Sequence, residues 1–96
     1  MRVEFTDRQG GPERVVCEAE IVFEEGDSSL GGMKLVGFTL WRGADGEVYV
    51  TFPSRAFGSG TERKFFDYLR SAEGRADDVR RVKGWILEAY QARQAA

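Results

Sequence analysis

Residues 33–55 of this 96-residue chain read MKLVGFTLWRGADGEVYVTFPSR, two apolar runs separated by Ala44-Asp45-Gly46. An Asp-Gly pair between two β-rich runs predicts a hairpin, because glycine accepts the positive φ that a tight reversal needs. Pro53 has no backbone N–H, so the second strand must end there or lie at a sheet edge. The pattern predicts strands over Leu35–Arg42 and Glu47–Phe52.

Sequence on either side of this hairpin predicts more strands. In Val15–Phe23, apolar side chains alternate with a second set that includes Glu18 and Glu20, which indicates a strand with one buried face. A shorter strand is expected over Met1–Thr6. After the hairpin we expect a loop over Ala56–Thr61. A short strand is then expected over Glu62–Leu69, with a helical turn as the alternative for that segment.

The apolar period changes to 3.6 after Gly74, which predicts a helix over Ala76–Gln94. Its apolar stripe consists of Val79, Val82, Ile86, Ala89 and Tyr90. Asp77 and Asp78 lie at the start, where carboxylates can cap free N–H groups and suit the helix dipole. Gly84 is costly inside a helix, and we expect it to allow close packing on the sheet. The sequence thus predicts one α+β domain over residues 1–96: a four- to five-stranded antiparallel sheet with one C-terminal helix packed on it.

Composition excludes several classes of site. The chain has no histidine, so it has no His-centred catalytic triad and no His metal site. Cys17 is the only cysteine, which excludes disulfides and Cys metal clusters, and its alternating run predicts a buried thiol. We expect no enzyme activity, cofactor or metal. A single unpaired cysteine without a signal peptide indicates the cytoplasm, and no run reaches the roughly 20 apolar residues of a membrane span.

Charge is unevenly distributed along the chain. The net charge is −2, unlike the strongly basic balance of a typical nucleic-acid binder. Acidic side chains nevertheless predominate between residues 13 and 27, whereas basic ones predominate from 55 to 93. The candidate phosphate-binding residues are Arg55, Arg63, Lys64, Arg80, Arg81 and Lys83. Arg80, Arg81 and Lys83 lie on the predicted helix. For these three, the alternative to a phosphate-binding patch is an ordinary solvent-exposed helix face.

The order of elements resembles the SpoVG (stage V sporulation protein G) family. The resemblance rests on a strand, a polar loop, a hairpin with an Asp-Gly turn, a strand ending in Pro53-Ser54-Arg55, and a final helix containing Ile86-Leu87-Glu88-Ala89-Tyr90. It covers roughly residues 14–91. It implies a small bacterial cytoplasmic homodimer, paired through its sheets, that binds DNA or RNA as a regulator. Arg55 matches the family's basic residue after Pro-Ser, and Asp67 matches the Asp of its Glu-Phe-Arg-Asp element.

Three departures from that pattern support an alternative function. Phe66 stands where the family has the Arg of that element, the loop from Ala56 to Thr61 lacks its Pro and second basic residue, and the net charge is acidic. The alternative is a homodimeric protein-interaction module that does not bind nucleic acid. Phe57, Phe66 and Trp41 are then candidates for an exposed apolar patch. For Trp41 and Trp85, the sequence alone favours a place in the core or in a dimer interface.

Overall fold

The computed structural model describes residues 1–8 and 10–95, so Gln9 and Ala96 of the predicted single domain lie outside the described residues. Six strands are followed by one helix. Their bounds are β1 Arg2–Thr6, β2 Val15–Val22, β3 Lys34–Arg42, β4 Val48–Thr51, β5 Ser54–Phe57, β6 Lys64–Asp67 and α1 Ala76–Ala95. A short 3₁₀ turn, Gly60–Glu62, lies between β5 and β6. The predicted α+β class is confirmed.

The main sheet is antiparallel and has the order β1-β2-β3-β4. Its hairpin forms as predicted: Gly46 has a φ of +84°, and the N–H of Glu47 donates to Asp45 Oδ1 at 3.0 Å. Strand β4 ends at Thr51, just before Phe52-Pro53, and lies at the sheet edge as the proline requires.

The chain after Pro53 departs from the prediction. Part of the segment expected to be a loop forms β5, which pairs with β6 in a separate two-stranded sheet rather than extending the main one. The strand expected over Glu62–Leu69 is confirmed in its central part, as the shorter β6. Where the chain leaves β4 it passes over a bulge in β3, and a Cβ at Gly37 would lie 2.8 Å from Pro53 Cβ. Gly37, with a φ of +102°, makes this crossing possible.

Helix α1 covers one face of the main sheet. The core joins Ile86 and Tyr90 to Phe52, just after β4, and to the inward-facing side chains of the sheet, which are Cys17, Ala19, Ile21, Phe38, Leu40 and Val50. Val79 and Val82 pack against this core, so the predicted helical stripe is confirmed for four of its five members, Ala89 being outside the core cluster. Cys17 is fully buried as expected, and burial raises the pKa of its thiol.

Two expectations about the helix were wrong, close packing at Gly84 and backbone capping by Asp77 and Asp78, although both carboxylates lie in the first turn as the helix dipole favours. A Cβ at Gly84 would meet no atom within 4 Å, so close packing does not explain this glycine. The carboxylates of Asp77 and Asp78 bond to side chains rather than capping backbone N–H groups. Asp78 accepts hydrogen bonds from Ser71, Arg81 and Arg75, which lower its pKa.

No helix among the described residues has the length and apolar character needed to cross a membrane.

Candidate nucleic-acid interface

The hairpin formed by β5 and β6 carries three of the six predicted phosphate-binding residues. Arg55 lies on β5, Lys64 opens β6, and Arg63 directly precedes it. All three side chains are exposed. Over residues 1–8 and 10–95, none of the three forms an ion pair with a carboxylate, so no carboxylate there competes with a ligand for these cations.

The other three predicted residues lie on α1, and their charged groups already contact other side chains of the protein. Arg80 forms an ion pair with Asp77, and Arg81 forms one with Asp78 at 3.0 Å. The ammonium of Lys83 lies 5.5 Å from the ring centre of Phe52, at the margin of the core. Carboxylates of the same helix therefore compensate most of the positive charge of these three residues. Three basic residues close in sequence were expected to form one patch, but the acidic first turn of the same helix neutralises two of them.

The register of the hairpin divides its side chains between two faces. Arg55 pairs with Phe66, and Phe57 pairs with Lys64. Since directly opposed residues share a face and successive residues alternate, these four side chains lie together. We call Arg55, Phe57, Lys64 and Phe66 the aromatic face.

The centre of the aromatic face is a pair of phenyl rings. Phe57 and Phe66 are 5.3 Å apart between ring centres, with an interplanar angle of 76°. The guanidinium carbon of Arg55 lies 4.8 Å from the centre of the Phe57 ring. Both rings are about half exposed, at 46% and 48%. The geometry combines π surfaces and cations without an apolar cover, which is the arrangement of a stacking platform.

Two shallow depressions flank this phenyl pair and share both rings. The larger, about 520 Å³, also includes Lys64 and Glu62. The smaller, about 390 Å³, also includes Arg70. Arg70 was absent from the sequence-based candidates, although its place three residues after Asp67 at the end of β6 could have indicated it.

The opposite face of the hairpin is less cationic. It carries Phe65 opposite Ala56 and Asp67 opposite Ser54. The guanidinium of Arg63 lies 5.2 Å from the Phe65 ring centre. Phe65 is 65% exposed, so the described residues leave both faces of the hairpin open.

Comparison of the chain with protein-family models, with curated proteins and with solved structures finds no match. The resemblance to the SpoVG family therefore stays a prediction based on the quoted motifs.

The two tryptophans lie in different environments, both away from the hairpin. Trp85 packs against the core and lines an apolar groove of about 530 Å³, together with side chains such as Phe23, Leu35 and Val82. Trp41 lies on the sheet face opposite the helix, where its indole N–H donates to Thr51 Oγ1 at 2.7 Å. Phe57 and Phe66 thus form one patch, as the alternative function predicted, but Trp41 belongs to another surface.

No group of three or more metal-ligating side chains converges anywhere in residues 1–8 and 10–95.

Proposed function

We propose that this protein is a non-catalytic, nucleic-acid-binding regulator of the SpoVG type, acting in the bacterial cytoplasm as a homodimer. The observation that carries the proposal is the aromatic face, on which Arg55 and Lys64 flank two exposed phenyl rings without carboxylate partners in the described part of the chain. Unpaired cations attract phosphates without regard to sequence. The acidic net charge does not oppose this locally, because much of the acidic excess lies on the earlier strands and loop.

The homodimer is supported by the edges that the monomer leaves open. Strands β1 and β4 bound the main sheet, and each can pair with another chain along one side. We propose pairing through these sheet edges. Light scattering at micromolar concentration should then give about twice the mass of one chain, whereas a monomer over the whole concentration range would contradict the proposal.

Fluorescence anisotropy with labelled DNA and RNA of mixed sequence tests nucleic-acid binding. Two matched double variants each remove two positive charges: R55Q/K64Q on the hairpin and R80Q/R81Q on the helix. Each phosphate contact contributes about 0.7–0.9 to the slope of log affinity against log salt concentration. We expect R55Q/K64Q to reduce the magnitude of that slope by about 1.4–1.8.

The helix variant should change the slope much less, because Arg80 and Arg81 already pair with Asp77 and Asp78. Equal effects of the two variants would show that the interface also includes Arg80 and Arg81 on the helix. No binding by the unmodified protein, even at tens of micromolar at low salt, would refute the proposal.

The second candidate is a homodimeric protein-interaction module that does not bind nucleic acid. Two observations favour it: the apolar groove beside Trp85, and the exposed phenyl rings on both faces of the hairpin. Contiguous exposed apolar surface commonly marks a contact site. A pull-down from bacterial lysate with and without nuclease separates the candidates, since partners that depend on nucleic acid disappear after digestion while direct protein partners persist.

A further inference from the structure

We infer that the aromatic face selects single-stranded nucleic acid, with unpaired bases stacked on Phe57 and Phe66 and phosphates held by Arg55, Lys64 and Arg70. This inference rests on the proposed function and specifies its ligand. The preference for a single strand comes from the aromatic rings, because cations alone would bind a duplex and a single strand alike.

The rings of the aromatic face are exposed to solvent. Phe57 and Phe66 leave about half of their surface in solvent, on a hairpin that is open on both faces. Base stacking on aromatic side chains is available to any base, because every base has a π-face. Inside a duplex those faces are covered by neighbouring base pairs, so an exposed phenyl ring gains a stacking partner only from an unpaired base.

The two rings are also oriented differently from the stacked bases of a duplex. Their planes are nearly perpendicular, at 76°. Bases stacked on the two rings therefore cannot be parallel to each other as successive bases of a duplex are. A single strand, with free backbone torsions between nucleotides, can present bases in two orientations. The Arg55 guanidinium lies over the Phe57 ring, which places the cation next to a base stacked on the platform, where it can hold the adjoining phosphate.

Positive charge lies on both sides of the ring pair. Each depression beside the ring pair contains one cation, Lys64 in the larger and Arg70 in the smaller. A strand crossing the rings would thus meet a positive charge on both sides. Glu62 also borders the larger depression. Its carboxylate repels phosphate, which restricts the backbone there to the Lys64 side.

The test compares single strands with duplex on the full chain. Anisotropy is measured with labelled oligo-dT and oligo-U of about 16 nucleotides and with a mixed-sequence duplex of equal length. We expect the single strands to bind at least about tenfold more tightly than the duplex at the same salt concentration.

Neighbouring phenylalanines on opposite faces provide the matched variants. F66L keeps an apolar side chain but removes a π-face of the platform, and we expect it to weaken single-strand binding about tenfold while changing duplex binding less than about twofold. F65L makes the same substitution on the other face and should leave both affinities within about twofold. Circular dichroism establishes that both variants remain folded.

Each outcome has a distinct meaning. Duplex binding as tight as single-strand binding overturns the inference but leaves nucleic-acid binding in place. A loss in F65L rather than F66L also overturns it, because the ligand would then lie on the other face. Absence of binding to any oligonucleotide overturns the proposed function together with the inference.

Discussion

Replacement of Gly84 by alanine should stabilise the protein. The position lies inside α1, and an added Cβ would meet no atom within 4 Å, so nothing opposes the gain in helix propensity. Glycine costs about 0.8–1.0 kcal/mol relative to alanine in a helix interior. Unfolding entropy of about 2.1 cal/mol/K per residue gives a slope near 0.2 kcal/mol/K for 96 residues, so the melting temperature should rise by about 5 °C.

Gly37 provides the matched control, because the same substitution should have the opposite sign there. Gly37 has a φ of +102°, and an added Cβ would lie 2.8 Å from Pro53 Cβ. Strained backbone and the clash predict a loss of about 1–3 kcal/mol for G37A. Thermal unfolding followed by circular dichroism measures both variants. A lower melting temperature for G84A would refute the reasoning, and would mean that atoms from outside this chain cover that side of the helix.

Three further predictions concern the acid limb of stability, the buried thiol and the core. Hydrogen bonds led by those from Ser71 and Arg81 hold the pKa of Asp78 below its ordinary 3.8, so the carboxylate stabilises the fold fully above that pH and loses its effect as pH falls through the lowered pKa. D78N should therefore be less stable than the unmodified protein at neutral pH, with a difference in urea unfolding that shrinks in strong acid. Cys17 is fully buried and its pKa is raised, so Ellman's reagent should modify it only in denaturant, and rapid reaction of the native protein would contradict the burial. Ile86 is fully buried between helix and sheet, and I86A should cost about 2–5 kcal/mol in denaturant unfolding, whereas a cost under about 1 kcal/mol would show that the helix does not close the core.

Prediction from sequence succeeded where local patterns have a physical period. Alternation in Val15–Phe23 identified β2 and its buried face, and the 3.6-residue period identified the stripe that packs α1 on the sheet. The Asp-Gly pair fixed the hairpin, and Pro53 marked the end of β4 at an edge. These features depend on neighbours within a few residues, so the sequence alone determined them.

Tertiary structure decided where the segment after Pro53 goes. Ser54–Phe57 shows no clear period, and its pairing with β6 depends on the crossing over Gly37, a contact between residues distant in sequence. Strand alternation alone could have placed β6 in the main sheet. The register then set which aromatic and basic side chains share a face, and brought Arg70 beside Phe57 and Phe66.

The candidate interface divides in the same way. The sequence predicted which basic residues are candidates and on which elements they lie. These were Arg55, Arg63 and Lys64 together with the three cations of the helix. Whether each cation is free to bind a ligand could not be predicted, because this depends on which side chains come into contact in the folded protein. Arg80 and Arg81 lie beside first-turn carboxylates and pair with them, whereas Arg55 and Lys64 lie beside phenyl rings and pair with no carboxylate of the described residues. The sequence by itself thus determined the strands, the helix and the set of basic residues. The fold decided which of those cations can contact a ligand, because only packing sets the distance from each one to a carboxylate or an aromatic ring.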